Sequence, residues 1–179
     1  MPNLSGHTEG DIAPILQKLF AELSLLDKIL YRNSNQHGRS KVFSPLKAVK
    51  RVFDTDMVTS ARISLVDIKS AEALSISNEK RSDEPFLANT LLCLKGAEEL
   101  CQSFKHSIVL LDLSLLGLVE QLRKRVFAPL YSVLLAVSSR LHSLCQQLHS
   151  RCRRRYRALH SRLHVSSASL FSFPALRVA

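Results

Sequence analysis

Residues 107–119 read Ser107-Ile108-Val109-Leu110-Leu111-Asp112-Leu113-Ser114-Leu115-Leu116-Gly117-Leu118-Val119, the strongest apolar run of the chain. It is either a membrane span or a helix inside a folded core. The run is shorter than the ~20 apolar residues a spanning helix needs, and it carries Asp112 in its middle. Around it the apolar residues keep a helical step. Phe104, Ile108, Leu111, Leu115, Leu118, Leu122 and Val126 recur every three or four positions, which marks one helix face. Val109, Leu110, Leu113, Leu116 and Val119 widen that face nearly all round. The middle of this helix is therefore expected at the centre of a bundle, with Gly117 allowing close approach of a neighbour. The helical block spans about Phe86 to Phe127, and Pro129 breaks or restarts it.

Working outward, two further amphipathic patterns stand N-terminal to this block. Ile12, Ile15, Leu16, Leu19, Leu23, Leu26 and Leu30 form one stripe, with Pro14 tolerated in the first turn. That helix ends at Gly38, which accepts the left-handed backbone common just past a helix end. Ser44-Pro45 then reads as the N-cap and first residue of a short helix with Leu46, Val49, Val52 and Phe53 on its apolar side. Thr55 to Pro85 is mixed and polar, with a weak helical pattern at Ser60–Ile76 and a linker at Ser75–Pro85. C-terminal to Pro129, Leu130, Leu134, Val137, Leu141, Leu144 and Leu148 keep a seven-residue rhythm that extends through Cys152, Tyr156, Leu159 and Leu163. Met1–Gly10 and the residues beyond Val165 read as loose ends.

Length and composition agree with this helical reading. A chain of 179 residues with 46% hydrophobic residues holds enough apolar material for one core, and only five Gly and six Pro interrupt it. Collagen-like, disulfide-scaffold and wholly disordered classes are excluded. The formal net charge of +10 favours polyanionic partners. No acid follows Glu120, whereas Lys28 to Arg51 carries seven basic residues and no acid. Aromatics are only 6% and Trp is absent, which argues against a broad base-stacking platform. The N-terminus lacks the basic and apolar regions of a secretory signal, and Glu9 and Asp11 argue against a mitochondrial presequence. Cys93, Cys101, Cys145 and Cys152 sit within helical patterns and read as reduced, intracellular thiols.

The segment from Tyr31 to Arg39 carries the densest chemistry. An apolar helix runs directly into Arg32, Asn33, Asn35, Gln36 and His37, with Arg32–Gln36 and Asn33–His37 paired at i,i+4. Such side chains offer both donors and acceptors and a guanidinium fork, which suits base edges or a folded RNA backbone. A polar helix end that bonds its own carbonyls reads the same way. Arg39, Lys41, Lys47, Lys50 and Arg51 extend the positive surface, for phosphate contact or simple solvation. Arg151, Arg153, Arg154, Arg155 and Arg157 resemble a localisation signal or nucleic-acid patch, and basic helices of this kind also bind membranes and acidic partners. His142, Cys145, His149 and Cys152 share a helix face but extend over roughly 15 Å, too far to surround one zinc. No nucleophile with its base, phosphate-cradling Gly loop or metal motif is present in the sequence. No enzyme activity, cofactor, metal or small-molecule substrate is therefore expected.

The run Leu26-Asp27-Lys28-Ile29-Leu30-Tyr31-Arg32-Asn33-Ser34-Asn35-Gln36-His37 resembles the signature of one family. That family joins the yeast-type protein subunit of ribonuclease MRP to the N-terminal domain of the nucleolus and neural progenitor protein. Its pattern is an apolar helix, then His or Tyr, then Arg-Asn-Lys-Asn-Gln-His-Arg, followed by a short basic helix, here Pro45 to Arg51. A Leu-rich helical region follows, here Leu91 to Leu135, with Leu122-Arg123 and Pro129-Leu130-Tyr131 as weaker echoes. Ser34 stands where the pattern has Lys, and Gly38 separates His37 from Arg39. The resemblance covers residues 14–135 and implies a nucleolar protein attached to the ribonuclease MRP particle, in which the catalyst is RNA.

The combined expectation is an all-α protein: an antiparallel bundle of about four to five helices with a polar N-terminus and a basic C-terminal tail. Residues 11–148 form the helical domain. Residues 149–179 form a basic tail without a counterpart in the family, expected to be an alternative or truncated C-terminus. The function implied is a non-catalytic structural subunit of a nucleolar RNase MRP-like ribonucleoprotein in pre-ribosomal RNA processing, with MRP-type RNA and other subunits as partners. The alternative is a nuclear protein–protein adaptor that uses the heptad stripe Leu130–Leu148 and is linked to developmental gene regulation. A membrane partner is not expected.

Overall fold

The apolar stripe of the N-terminal segment folds as helix α1, Ile12–His37, and buries Ile12, Ile15, Leu16, Leu19, Leu23, Leu26 and Leu30. The other elements of the computed structural model are α2, Phe43–Asp54, α3, Glu84–Arg123, and α4, Ala128–Ser166. The structure describes residues 12–54, 84–125 and 127–166, all helix or turn with no strand among them. The patterns assigned to Ser60–Ile76, to most of Ser75–Pro85, to Met1–Gly10 and to the last residues lie outside this set.

Helices α3 and α4 form the longest contact. Asp112 meets His142 at 2.9 Å, and Cys101 packs against the core that holds Cys152. Residue numbers rise along α3 as they fall along α4, so the two helices run in opposite directions. Phe104, Leu111 and Leu118 on α3 meet Leu134, Val137, Leu141, Cys145, Leu148 and Cys152 on α4 in a continuous core. Ser107, Ser114 and Ser138 are fully buried there, where larger side chains would hold the helices apart. Each fully buried Leu contributes roughly 1.5–3 kcal/mol relative to exposure.

The remaining contacts join the four elements in a closed order. Glu22 on α1 reaches Arg140 on α4 at 2.9 Å. Phe53 on α2 packs 6.1 Å from Phe104 on α3. Val42, in the turn before α2, lies so near Gly117 that an added methyl there would sit 3.2 Å from it. The expectation that Gly117 permits close approach thus has a specific neighbour.

Three expectations need correction. The middle of α3 is not buried all round: Val109, Leu113 and Leu116 are 52%, 56% and 72% exposed. Among the described residues, α2 and α4 cover only one side of α3, so its second apolar flank stays outside. The start of α2 is not capped by Ser44. Helix begins at Phe43, and Ser40 receives the amides instead, through its hydroxyl from Val42 (3.4 Å) and its carbonyl from Phe43 (3.0 Å). Gly38 ends α1 without a left-handed φ. A side chain there would place Cβ 2.3 Å from the Ser34 carbonyl oxygen, which instead accepts the Gly38 amide at 2.9 Å.

Helix α4 passes residue 148 without a break and continues to Ser166. Cys152 is buried and Tyr156 packs against the core, so the heptad rhythm does extend past the expected boundary. The arginines of 151–157 therefore belong to a packed helix, with Arg153, Arg154 and Arg157 on its exposed side.

Candidate nucleic-acid interface

Ten residues were expected on one positive surface, and the structure separates them into three groups. The first group faces solvent. Arg32, Asn35 and Gln36 on the last turns of α1, Arg39 and Lys41 in the turn to α2, and Arg51 on α2 are exposed. The second group is engaged with the fold. Asn33 donates from Nδ2 to the Ile29 carbonyl at 2.8 Å rather than pairing with His37. Lys47 donates to the Gly38 carbonyl at 3.2 Å and so ties α2 to the end of α1. Lys50 forms an ion pair with Asp27 at 2.6 Å. That pair is partly exposed and contributes at most about 1 kcal/mol, less at high salt.

His37 forms the third group alone. It is only 9% exposed. Its ring lies between Phe127 (4.6 Å, edge-on), Phe43 (5.8 Å, stacked) and Tyr131 (6.0 Å, edge-on). These three come from the α3–α4 turn, α2 and α4, so the imidazole joins the ends of the helices. Its Nε2 is buried with no hydrogen-bond partner among the described residues. A ring in this place acts on packing rather than on a ligand in solvent.

The same contacts bring in residues that sequence reasoning passed over. The turn from α3 to α4 carries Arg123, Lys124 and Arg125, all exposed. It is closed by the Lys124 amide on the Gln121 carbonyl (3.1 Å) and the Arg125 amide on the Leu122 carbonyl (3.0 Å). Lys124 Nζ sits 2.8 Å from Glu120. That hydrogen bond, with the charges of Lys124, Lys41 and Arg123, lowers the Glu120 carboxyl below its ordinary value. Lys41 from one turn and Arg123 from the other thus act on one carboxylate. A three-residue basic run is common in any basic chain, so only the meeting of the turns makes it visible.

The arginines near the other end of α4 divide in the same way. Arg153, Arg154 and Arg157 are exposed, whereas Arg151 and Arg155 are half-buried. On the same helix, burial pushes the thiols of Cys145 and Cys152 up to about 12, and that of Cys101 on α3 up to about 11. These are protonated, packed cysteines rather than nucleophiles or ready metal ligands. Burial, then Arg153 and Lys105, lowers His149.

Comparison with family models, curated proteins and solved structures gives no match to this chain.

Proposed function

We propose that the chain is a non-catalytic, RNA-associated structural subunit of a nucleolar RNase MRP-like ribonucleoprotein that acts in pre-ribosomal RNA processing. In this reading the four helices form an antiparallel bundle whose work is to hold a polar, basic surface rigid. The observation that carries it is the row Arg32, Asn35, Gln36, Arg39 and Lys41. All five are exposed, all lie in the stretch that resembles the family signature or immediately after it, and their groups suit base edges and phosphates. The test is crosslinking of the tagged protein in cells, followed by sequencing of attached RNA, beside a variant with Arg32, Gln36 and Arg39 changed to Ala. His37 is left intact because it packs. Enrichment of MRP-type RNA that the variant loses is the expected result. A folded, nuclear protein with no such enrichment would sink the reading.

The adaptor alternative loses its first surface, since Leu134, Val137, Leu141 and Leu148 are buried within the chain. It keeps one observation, the exposed apolar flank Val109, Leu113 and Leu116 on α3. Changing Leu113 and Leu116 to Ser separates the two readings: RNA crosslinking should persist, while a protein partner held by that flank should no longer bind.

A further inference from the structure

We propose that the place where the α1–α2 and α3–α4 turns meet binds an unpaired stretch of RNA, with Phe127 stacked on a base and Lys41, Arg123 and Arg125 on flanking phosphates. This rests on the RNA-associated reading and names the form of RNA and the residues that receive it.

Two features of the α3–α4 turn are costly for the fold. Arg125 and Phe127 have φ of 55° and 52°, in the left-handed region where any residue with a Cβ is disfavoured and Gly is the ordinary choice. Phe127 also stands where α4 begins, its carbonyl accepting the Tyr131 amide at 3.2 Å. A helix start favours Ser, Thr, Asp or Asn, whose side chains accept an amide hydrogen bond, and Phe has no such acceptor. A turn optimised for stability alone would hold Gly or Asn at both positions. This turn holds a cation and an aromatic ring. Strain kept at such a site is a pointer to function.

The surroundings define the ligand. Phe127 is 55% exposed, and its ring is held in a T-shaped contact with His37 at 4.6 Å. The α3 end and the turn after it carry Arg123, Lys124 and Arg125, and Lys41 of the other turn directly precedes Val42, whose side chain would lie 3.2 Å from a Cβ at Gly117, one helical turn before Glu120. Residues 31–41 and 120–127 hold the cations Arg32, Arg39, Lys41, Arg123, Lys124 and Arg125 against a single acid, Glu120. An exposed ring among cations suits a base whose face is free and whose phosphates lie on either side. In a duplex the faces are already stacked and give Phe127 nothing to bind. An anionic membrane would meet the same cations and could take the exposed flank Val109, Leu113 and Leu116 of α3, so vesicle binding is the competing outcome of the test.

The test is fluorescence anisotropy of the full chain with a labelled oligouridine and with an RNA duplex of equal length, over a salt series. Sedimentation with phosphatidylserine vesicles is run alongside. Tighter binding to oligouridine than to duplex is expected. Phe127→Leu should weaken oligouridine binding about tenfold with the salt slope unchanged, and Phe127→Tyr should stay close to the parent. Arg123→Gln with Arg125→Gln should reduce the log–log salt slope by about 1.4, roughly 0.7 for each phosphate that is no longer neutralised. Circular dichroism melting checks that each variant is folded. The proposal is overturned by equal or tighter duplex binding, by no binding of oligouridine, by a folded Phe127→Leu with parental affinity, or by vesicle binding as the only interaction. Cellular crosslinking keeps the two readings apart. Phe127-dependent oligouridine binding without MRP-type RNA in cells would leave this surface standing and the subunit reading fallen. MRP-type RNA crosslinked equally by a Phe127→Leu chain would do the opposite.

Discussion

Replacing His37 by Ala is expected to cost about 2 kcal/mol of stability, and replacing it by Phe to cost nothing. The ring fills the space between Phe43, Phe127 and Tyr131 at 4.6–6.0 Å. Deleting a buried aromatic ring costs roughly 3–5 kcal/mol through forfeited transfer energy and the cavity left behind. His37 starts from a weaker position, because its buried Nε2 has no partner, and an unsatisfied polar group costs about 1–3 kcal/mol. The difference leaves about 2 kcal/mol for His37→Ala, equivalent to a fall in Tm of roughly 4–8 °C for a chain of this length. His37→Phe retains the packing and removes the orphaned nitrogen, so it should equal the parent or exceed it by up to about 1 kcal/mol. Urea unfolding followed by far-ultraviolet circular dichroism measures both, and RNA crosslinking is read on the same proteins. An Ala variant that unfolds at the parental midpoint would refute the packing argument. So would a stable Phe variant that no longer crosslinks to RNA, because His37 would then touch the ligand directly.

Other outcomes follow from the same contacts. Leu111→Ala should cost about 2–5 kcal/mol in urea unfolding, while Leu113→Ala, two residues along α3 but exposed, should change stability by less than about 0.5 kcal/mol; similar losses would show that the faces of α3 are wrongly assigned. Arg125→Gly should raise stability by about 0.5 kcal/mol by releasing the left-handed backbone and should weaken oligouridine binding; a less stable variant would contradict the strain argument. In a Cys93→Ser chain, Cys101, Cys145 and Cys152 should react with a disulfide reagent at neutral pH at least about a hundredfold more slowly before than after unfolding, since burial holds their thiols at about 11, 12 and 12. His149 is lowered from 6.5 in the fold, so the unfolded chain binds more protons between 6.5 and the folded value. Its neutral form is therefore no burden above pH 6.5, and stability falls as pH drops through that window. His149→Gln should remove that part of the pH dependence of urea unfolding.

The sequence made the helical class and most of the core legible because burial leaves a period. Leu134, Val137, Leu141 and Leu148 recur at heptad steps and are all buried. The same rule misjudged α3, since periodicity records which residues are apolar and not which flank finds a neighbour. Val109, Leu113 and Leu116 match the buried positions in type and lie outside. Caps were misplaced for a similar reason: Ser44-Pro45 has the local signature of a helix start, yet the backbone at Ser40 folds so that its oxygens receive the amides. At the candidate interface, exposure of Arg32, Asn35, Gln36, Arg39 and Lys41 was legible from an apolar helix ending in polar residues. The packing of His37 and the contribution of Arg123 to Arg125 were not, because both depend on two turns separated by about 80 residues in sequence coming together.

The unbroken course of α4 has an electrostatic consequence. From Phe127 to Arg154 the helix advances about 40 Å at its rise per residue. The screening length at physiological ionic strength is about 8 Å. The basic turn and the distal arginines are therefore separate fields, each blind to charge changes in the other. A short anion samples one of them at a time, and their contributions to its affinity add without coupling. A ligand long enough to reach both meets them at a spacing fixed by the helix, so its affinity becomes a measure of its own length.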